Sequence, residues 1–181
     1  MADQKARARR VKMLIMDVDG TLTDGTVFVL PDGEEVKSYN VKDGLGILLA
    51  HLGGLKTAII TGKTSKSLAK RAENLRVAEV HQGVLDKKAA FQEILKRHRL
   101  TPRDIAYIGD DLGDLEVIKA AGLAAAVADA HPEVKKHCQF VCRERGGRGA
   151  VREFIEFILG AQDKLTSIEK KVKKISPKAA G

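Results

Sequence analysis

The amino-acid sequence predicts an α/β fold: one doubly wound, Rossmann-like parallel sheet with helices on both faces, a β-hairpin flap and no cap domain. Three observations predict it. Short, continuous apolar runs recur along the chain, the pattern of strands buried on both faces. Segments of helical period separate them. Several runs end in an acid or a hydroxyl, which puts polar side chains at the carboxyl ends of strands, where open α/β sheets bind their ligands.

In chain order, Val11–Asp17 (VKMLIMD) is the first strand. Thr26–Val41 (TVFVLPDGEEVKSYNV) then interrupts the alternation. Pro31-Asp32-Gly33 supplies turn chemistry between two runs rich in β-branched and aromatic residues, so this segment reads as a hairpin. It follows the first strand's acidic end directly and is placed to stand over it as a flap. Asp43–Leu52, Ser65–Leu75, Lys87–His98, Leu112–Ala121 and Ala150–Leu159 carry helical period. Lys56–Thr61, Ile105–Asp110, Leu123–Ala128 and Phe140–Cys142 are further strands, with a weaker one at Glu79–Gln82. No repeat and no low-complexity core is found.

A chain of 181 residues with 44% hydrophobic content is long enough to bury one core without disulfides or metal staples. No apolar run approaches the ~20 residues of a membrane span, and the charged Met1–Arg10 leads into no signal-peptide core. Cys138 and Cys142 read as inert buried thiols. A cytoplasmic protein with no membrane partner is the expectation.

The formal net charge is +8. Residues 1–12 hold five Lys or Arg and one acid, and residues 161–181 six Lys and two acids, so each end contributes +4 and the core none. Basic ends on a neutral core read as solvated tails, and with no Trp for base stacking nucleic-acid binding is not expected. The expected organisation is a basic N-terminal tail over 1–10, one domain over 11–160 with its flap at about 26–41, and a flexible basic tail over 161–181.

Chemistry concentrates at four strand ends. The first delivers Asp17-Val18-Asp19-Gly20-Thr21, two carboxylates whose repulsion a hard cation such as Mg2+ would relieve. An ordinary capping Asp and a turn Asp would give the same residues. A second acidic cluster, Gly109-Asp110-Asp111-Leu112-Gly113-Asp114, ends the Ile105 strand. Asp111 is the natural cap of the next helix, which leaves Asp110 to converge with Asp17 and Asp19. Thr61-Gly62-Lys63-Thr64 offers a hydroxyl and backbone N–H groups to a phosphate. It is not a P-loop, whose first Gly would fall at Thr57. Lys87, at a helix start after the Glu79 strand, is placed to reach the same crevice rather than solvent. His81 and His131 read as structural.

These four pieces, in this order, resemble the haloacid dehalogenase-type phosphohydrolases. The resemblance implies Asp17 as the nucleophile that forms an aspartyl-phosphate and Asp19 as general acid and then base. It implies that Thr61 and Lys87 hold the phosphoryl group, with Asp17, Asp19, Asp110 and Asp114 forming the Mg2+ site. From about Val11 to Leu165 the chain further resembles the capless 3-deoxy-D-manno-octulosonate 8-phosphate phosphatases. The residues that carry this are Ser38-Tyr39-Asn40-Val41-Lys42-Asp43-Gly44, Ile59-Ile60-Thr61-Gly62, Ala126–His131 with Pro132, and Gly146-Gly147-Arg148-Gly149-Ala150-Val151-Arg152-Glu153. That likeness implies a homotetramer assembled through the flaps, a Gly-rich segment and C-terminal tail over the substrate, and substrate contacts from Asp19, Asn40, Lys42, Gly62, Lys63, Arg71, Lys87 and Arg148.

The chain departs from that family at two places: Lys63 stands where Arg is usual, and Leu48 where another Arg is expected. Neither can reproduce a guanidinium clamp on a sugar carboxylate. Relatives acting on nine-carbon sialic-acid-type 9-phosphates carry an acid at position 63 and a Lys near 74. This chain has Lys63 and Asn74, so the eight-carbon acid is favoured over another acidic sugar phosphate. A phosphoacceptor receiver domain lacks the Asp19-Gly20-Thr21 continuation and the flap. A non-catalytic subunit would not be expected to keep all four motif positions.

Overall fold

The structure, a computed structural model, describes residues 2–175. The Val11–Asp17 run forms β1 (Met13–Met16), whose four side chains are all buried, as a strand covered on both faces requires. Lys56–Ile60 is β4, Glu79–His81 β5, Ile105–Gly109 β6, Leu123–Ala126 β7 and Phe140–Val141 β8, and the six form one parallel sheet in the order β5-β4-β1-β6-β7-β8. Met16 pairs with Ile59 on one side and Ile108 on the other, so Asp17, Thr61 and Asp110 leave the sheet together. The chain runs from β1 outward to β4 and β5, then crosses to β6. Their shared carboxyl edge is the switch point at which this sheet class opens a crevice.

Helices cover both faces. The hairpin strands β2 (Phe28–Val29) and β3 (Glu35–Val36) form a separate two-stranded sheet before α2 (Val41–Leu52). The other helices are α3 (Lys66–Asn74), α4 (Lys87–His98), α5 (Leu115–Ala120) and α7 (Ala150–Ala161). The α5 segment starts later than its period suggests, because Leu112–Asp114 is a tight 3-10 turn capped by Asp111, whose Oδ1 accepts from Leu112 N at 2.8 Å. One short helix, α6 (Pro132–His137), was not anticipated. Pro132 starts it, and His131 Nδ1 accepts from Glu133 N at 3.1 Å.

The chain ends correct the charge-based reading. Residues 2–8 form α1 (Ala2–Ala8), with Ala8 fully buried, and Arg9 Nε donates to Ala161 O at 3.1 Å. At the other end α8 (Leu165–Ile175) packs on α2 and α7 through Ile168, which is 2% exposed. Leu165, Ile168 and Val172 recur at i, i+3 and i+7, an apolar stripe along the helix. Residues 176–181 of the expected tail lie outside the described residues. No helix among the described residues is long and apolar enough to cross a membrane.

Candidate active site

The residue after β1 is Asp17, and its N–H donates to Ile108 O at 3.1 Å, continuing the β1–β6 ladder. That bond seats a carboxylate, 4% exposed, at the floor of the crevice. Asp110 leaves β6 beside it, and Asp114 folds back from the 3-10 turn. Its Oδ2 accepts from Asp110 N at 2.9 Å and Asp111 N at 3.3 Å. Its Oδ1 accepts from Tyr107 Oη at 2.5 Å and Lys87 Nζ at 2.7 Å. The same Lys87 ammonium donates to Asp17 Oδ1 at 2.5 Å. It reaches there because Asp86 caps α4, accepting from Ala89 N at 3.0 Å and so starting the helix at Lys87.

Glycine makes the close approach of these loops possible. A Cβ at Gly20, whose φ is +85°, would lie 2.1 Å from Asp110 Oδ2. Thr21 Oγ1 donates to Asp110 Oδ1 at 3.0 Å, which aims that carboxylate at Asp17. A Cβ at Gly146 would fall 1.7 Å from Gly20 O, so the Gly-rich segment before α7 packs directly on the first acidic loop.

Asp17, Asp110 and Asp114 each present one carboxylate oxygen, all within 4.8 Å of one another. Lys87 pairs with two of the three acids, and the electrostatics record the imbalance. Burial, then repulsion from Asp114, raises the Asp17 carboxyl well above its ordinary range against the opposing pull of Lys87. Burial and Asp114 push Asp110 up to about 6, with the Thr21 hydrogen bond opposing. Burial alone would lower Lys87; Asp17 and Asp114 outweigh it and hold the ammonium charged. A buried, all-oxygen donor set with excess negative charge fits a hard divalent cation.

The Asp19 side chain stands apart from this carboxylate group. It turns toward the flap, where Lys37 Nζ donates to both carboxylate oxygens, to Oδ2 at 2.6 Å. Thr61 is buried at the end of β4, and its Oγ1 accepts from Lys63 N at 3.4 Å. Gly62 follows it, and a Cβ there would stand in ordinary contact with Val84 O at 3.7 Å.

The outer residues divide. Lys63 reaches across to Glu35 of the flap at 3.4 Å. Arg71 and Tyr39 line one crevice with Asn40, Asp43 and Gly44, and Arg71 Nε and Tyr39 Oη are buried there without a hydrogen-bond partner. Lys42, Arg148 and Arg152 line a second cavity beside Glu144 and Glu153, and Arg148 Nη2 donates to Asp24 Oδ2 at 3.0 Å. Asn40 makes structural bonds here. Its Oδ1 caps α2 by accepting from Lys42 N at 2.8 Å, and its Nδ2 donates to Gly147 O at 3.0 Å, so it ties flap to Gly-rich segment. Asp43 makes the companion clamp, accepting from Gly149 N and Arg152 N at 3.2 and 3.0 Å.

Two residues of this site escaped the sequence reading. Tyr107 sits inside an apolar strand, where a phenol must find a partner, and that requirement was the available signal. For Lys37 nothing in the sequence separates it from the neighbouring exposed lysines.

Residues 57–155 match the haloacid dehalogenase-like hydrolase family. The 3-deoxy-D-manno-octulosonate 8-phosphate phosphatase of Escherichia coli is 43% identical over 164 residues, 91% of this chain and 87% of that protein. This chain belongs to that phosphatase family. Among solved structures, the Yersinia pestis phosphatase of the same name superposes with a TM-score of 0.89 at 45% identity, covering 91% of this chain and 89% of that one. The Moraxella catarrhalis phosphatase, solved with magnesium, phosphate and KDO, gives 0.92 at 34% identity over 95% and 99%. As a member of the octulosonate phosphatase family, the chain is a phosphoric monoester hydrolase, and the crevice at β1, β4 and β6 is its candidate active site.

Proposed function

We propose that the protein hydrolyses 3-deoxy-D-manno-octulosonate 8-phosphate to the free sugar acid and phosphate, with Mg2+, through an aspartyl-phosphate on Asp17. The observation that carries this reading is the trio of Asp17, Asp110 and Asp114, with Lys87 bridging Asp17 and Asp114, in the crevice of an octulosonate-phosphatase fold. The Moraxella relative, solved with magnesium and KDO, supports the choice of ion and sugar.

Asp17, Asp110 and Asp114 would hold the ion, which when bound screens phosphate charge and lets an anionic nucleophile approach phosphorus. Asp17 Oδ attacks phosphorus as the bond to the sugar's 8-oxygen breaks, and the Asp19 carboxyl gives that oxygen its proton. Lys87 Nζ, Thr61 Oγ1 and the N–H groups around Gly62 bind the phosphoryl oxygens. Water then attacks the aspartyl-phosphate, the Asp19 carboxylate takes its proton, and phosphate leaves with Asp17 restored. Tyr107 and the Asp110 and Asp111 N–H groups hold Asp114 in one rotamer.

Farther out, the unpartnered Arg71 Nε suits the sugar carboxylate, and Lys63, Lys42 and Arg148 add positive charge around the entrance. The flap carries Phe28 and Val29 at 55% and 67% exposure, so the reading includes a homotetramer in which flaps cover one another. It also includes a cytoplasmic location.

Phosphate release from a panel of sugar phosphates, with Mg2+ and with chelator, tests the proposal against the Asp17→Asn protein. Chelator-sensitive turnover of the eight-carbon phosphate, lost in Asp17→Asn, is expected. Preference for a nine-carbon 9-phosphate would show that Lys63 and Leu48 have redirected the site.

A further inference from the structure

Between Asp24 and Asn40 every residue of the flap is exposed or half-buried except Lys37, which is 5% exposed. A lysine is the least expected residue for the one buried position of a hairpin, since removing an ammonium from water is costly unless it is paired. Its partner is Asp19. Lys37 Nζ donates to both carboxylate oxygens, and the Lys37 side chain is 1% exposed where that of Asp19 is 31% exposed. The flap's own two strands are joined at only two residue pairs, so this contact is a principal tie between the hairpin and the β1 loop.

The pair has a geometric consequence for Asp19. Two residues away Asp17 joins the carboxylate trio, and Asp19, a second carboxylate on the same short loop, does not. Lys37 draws it to the flap side instead.

We propose that Lys37 is a positioning residue of the reaction: it holds the Asp19 carboxyl in line with the leaving oxygen, and ties that alignment to the seating of the flap. The inference rests on the reading of Asp19 as the acid that protonates the leaving oxygen. It separates Lys37 from Lys87, which serves the phosphoryl side of the same crevice, and from Lys63, whose flap contact with Glu35 is exposed.

Leaving groups distinguish this role from a structural one. The sugar departs as an alkoxide and needs a proton, whereas p-nitrophenolate departs unaided. The ratio kcat/KM reports on the steps through leaving-group departure, so Lys37→Met should lower it by about 100-fold for octulosonate 8-phosphate, the lower end of a general acid's contribution. For p-nitrophenyl phosphate the loss should be no more than about a tenth of that factor. Lys37→Arg, which keeps a buried cation, should recover most of the sugar-phosphate activity, and thermal melts in parallel exclude misfolding as the cause. Equal losses on both substrates in folded Lys37→Met, or no loss on either, would overturn the proposal. Asp19→Asn, measured beside it, separates the two layers. If Asp19→Asn is selective for the alkyl ester and Lys37→Met is not, the positioning role alone fails. If Asp19→Asn affects both esters alike, the acid reading fails and takes the positioning role with it.

Discussion

Asp110 concentrates the tension of the crevice in one side chain. Its carboxyl is buried beside Asp114 and pushed up to about 6, while Lys87 bridges the other two acids and does not touch it. Asparagine in its place keeps an acceptor for Thr21 Oγ1 and removes the charge. In chelator, Asp110→Asn is therefore expected to melt about 2–4 °C above the native protein, the shift that about 1 kcal/mol produces in a chain of this size. Its turnover should fall by about 10³-fold, the factor of roughly 4 kcal/mol, and added Mg2+ should raise the melting point of the native protein only. A variant less stable than the native protein in chelator would show that the site carries no such repulsion. Asp104 shows the opposite sign. Hydrogen bonds from Thr101 and then Lys12 lower its carboxyl to about 2 from an ordinary 3.8. A lowered folded value means stabilisation that is complete above pH 4 and lost as pH falls towards 2. Asp104→Ala should cost about 1 kcal/mol at pH 6, as loss of a cap does, and melts carried down the pH scale should see that difference shrink below pH 4 and be lost as pH passes below 2. At this scale Asp17, Asp110 and Lys87 were legible because each is a costly residue type at a strand or helix end. The cap that Asn40 makes was not legible, because a polar residue at a helix start serves a cap as readily as a ligand, and the sequence alone does not choose.

The elements repeat that contrast. The strands β1, β4, β6 and β7 were readable because burial on both faces writes itself as an unbroken apolar run, and β1 and β6 end at Asp17 and Asp110 as their composition implied. The two terminal helices were not readable from charge. Lysine-rich segments read as solvated tails, yet a helix needs only one apolar face to dock, and lysine on the other faces is ordinary. Ile168 is the residue that decides α8: it is 2% exposed, and Lys164 Nζ adds a bond to Gly53 O at 2.9 Å at the helix start. Ile168→Ala should accordingly cost about 2–4 kcal/mol by removing buried methylenes and leaving a void. Thermal melts check it, and a loss under about 0.5 kcal/mol, typical of a surface site, would mean the helix does not dock in solution.

For the whole molecule the open question of packing lies in the flap. The six-stranded sheet buries its faces under its own helices, but the hairpin exposes Val27, Phe28, Val29, Leu30 and Val36 together. A two-stranded hairpin alone is marginally stable in water, and its outer edges present unpaired backbone groups. Copies of the same hairpin offer both remedies at once, apolar contact for Phe28 and Val29 and a closed ring of strands for the edges, and a closed ring satisfies every copy equally. Light scattering of the native protein is expected to give a tetramer, and a Phe28→Asp, Val29→Asp double variant a monomer. Because those side chains touch none of the sheet's core, the monomeric variant should still fold and melt cooperatively, below the native protein only by what assembly adds to its stability. It should nevertheless lose activity on the sugar phosphate. The flap that assembly seats is the same element that carries Lys37 to Asp19 and Glu35 to Lys63, so a loosened flap removes alignment at the acid without touching Asp17, Asp110 or Asp114. A monomeric mass for the native protein, or a monomeric double variant with unchanged turnover, would separate assembly from catalysis and leave the crevice of a single chain sufficient.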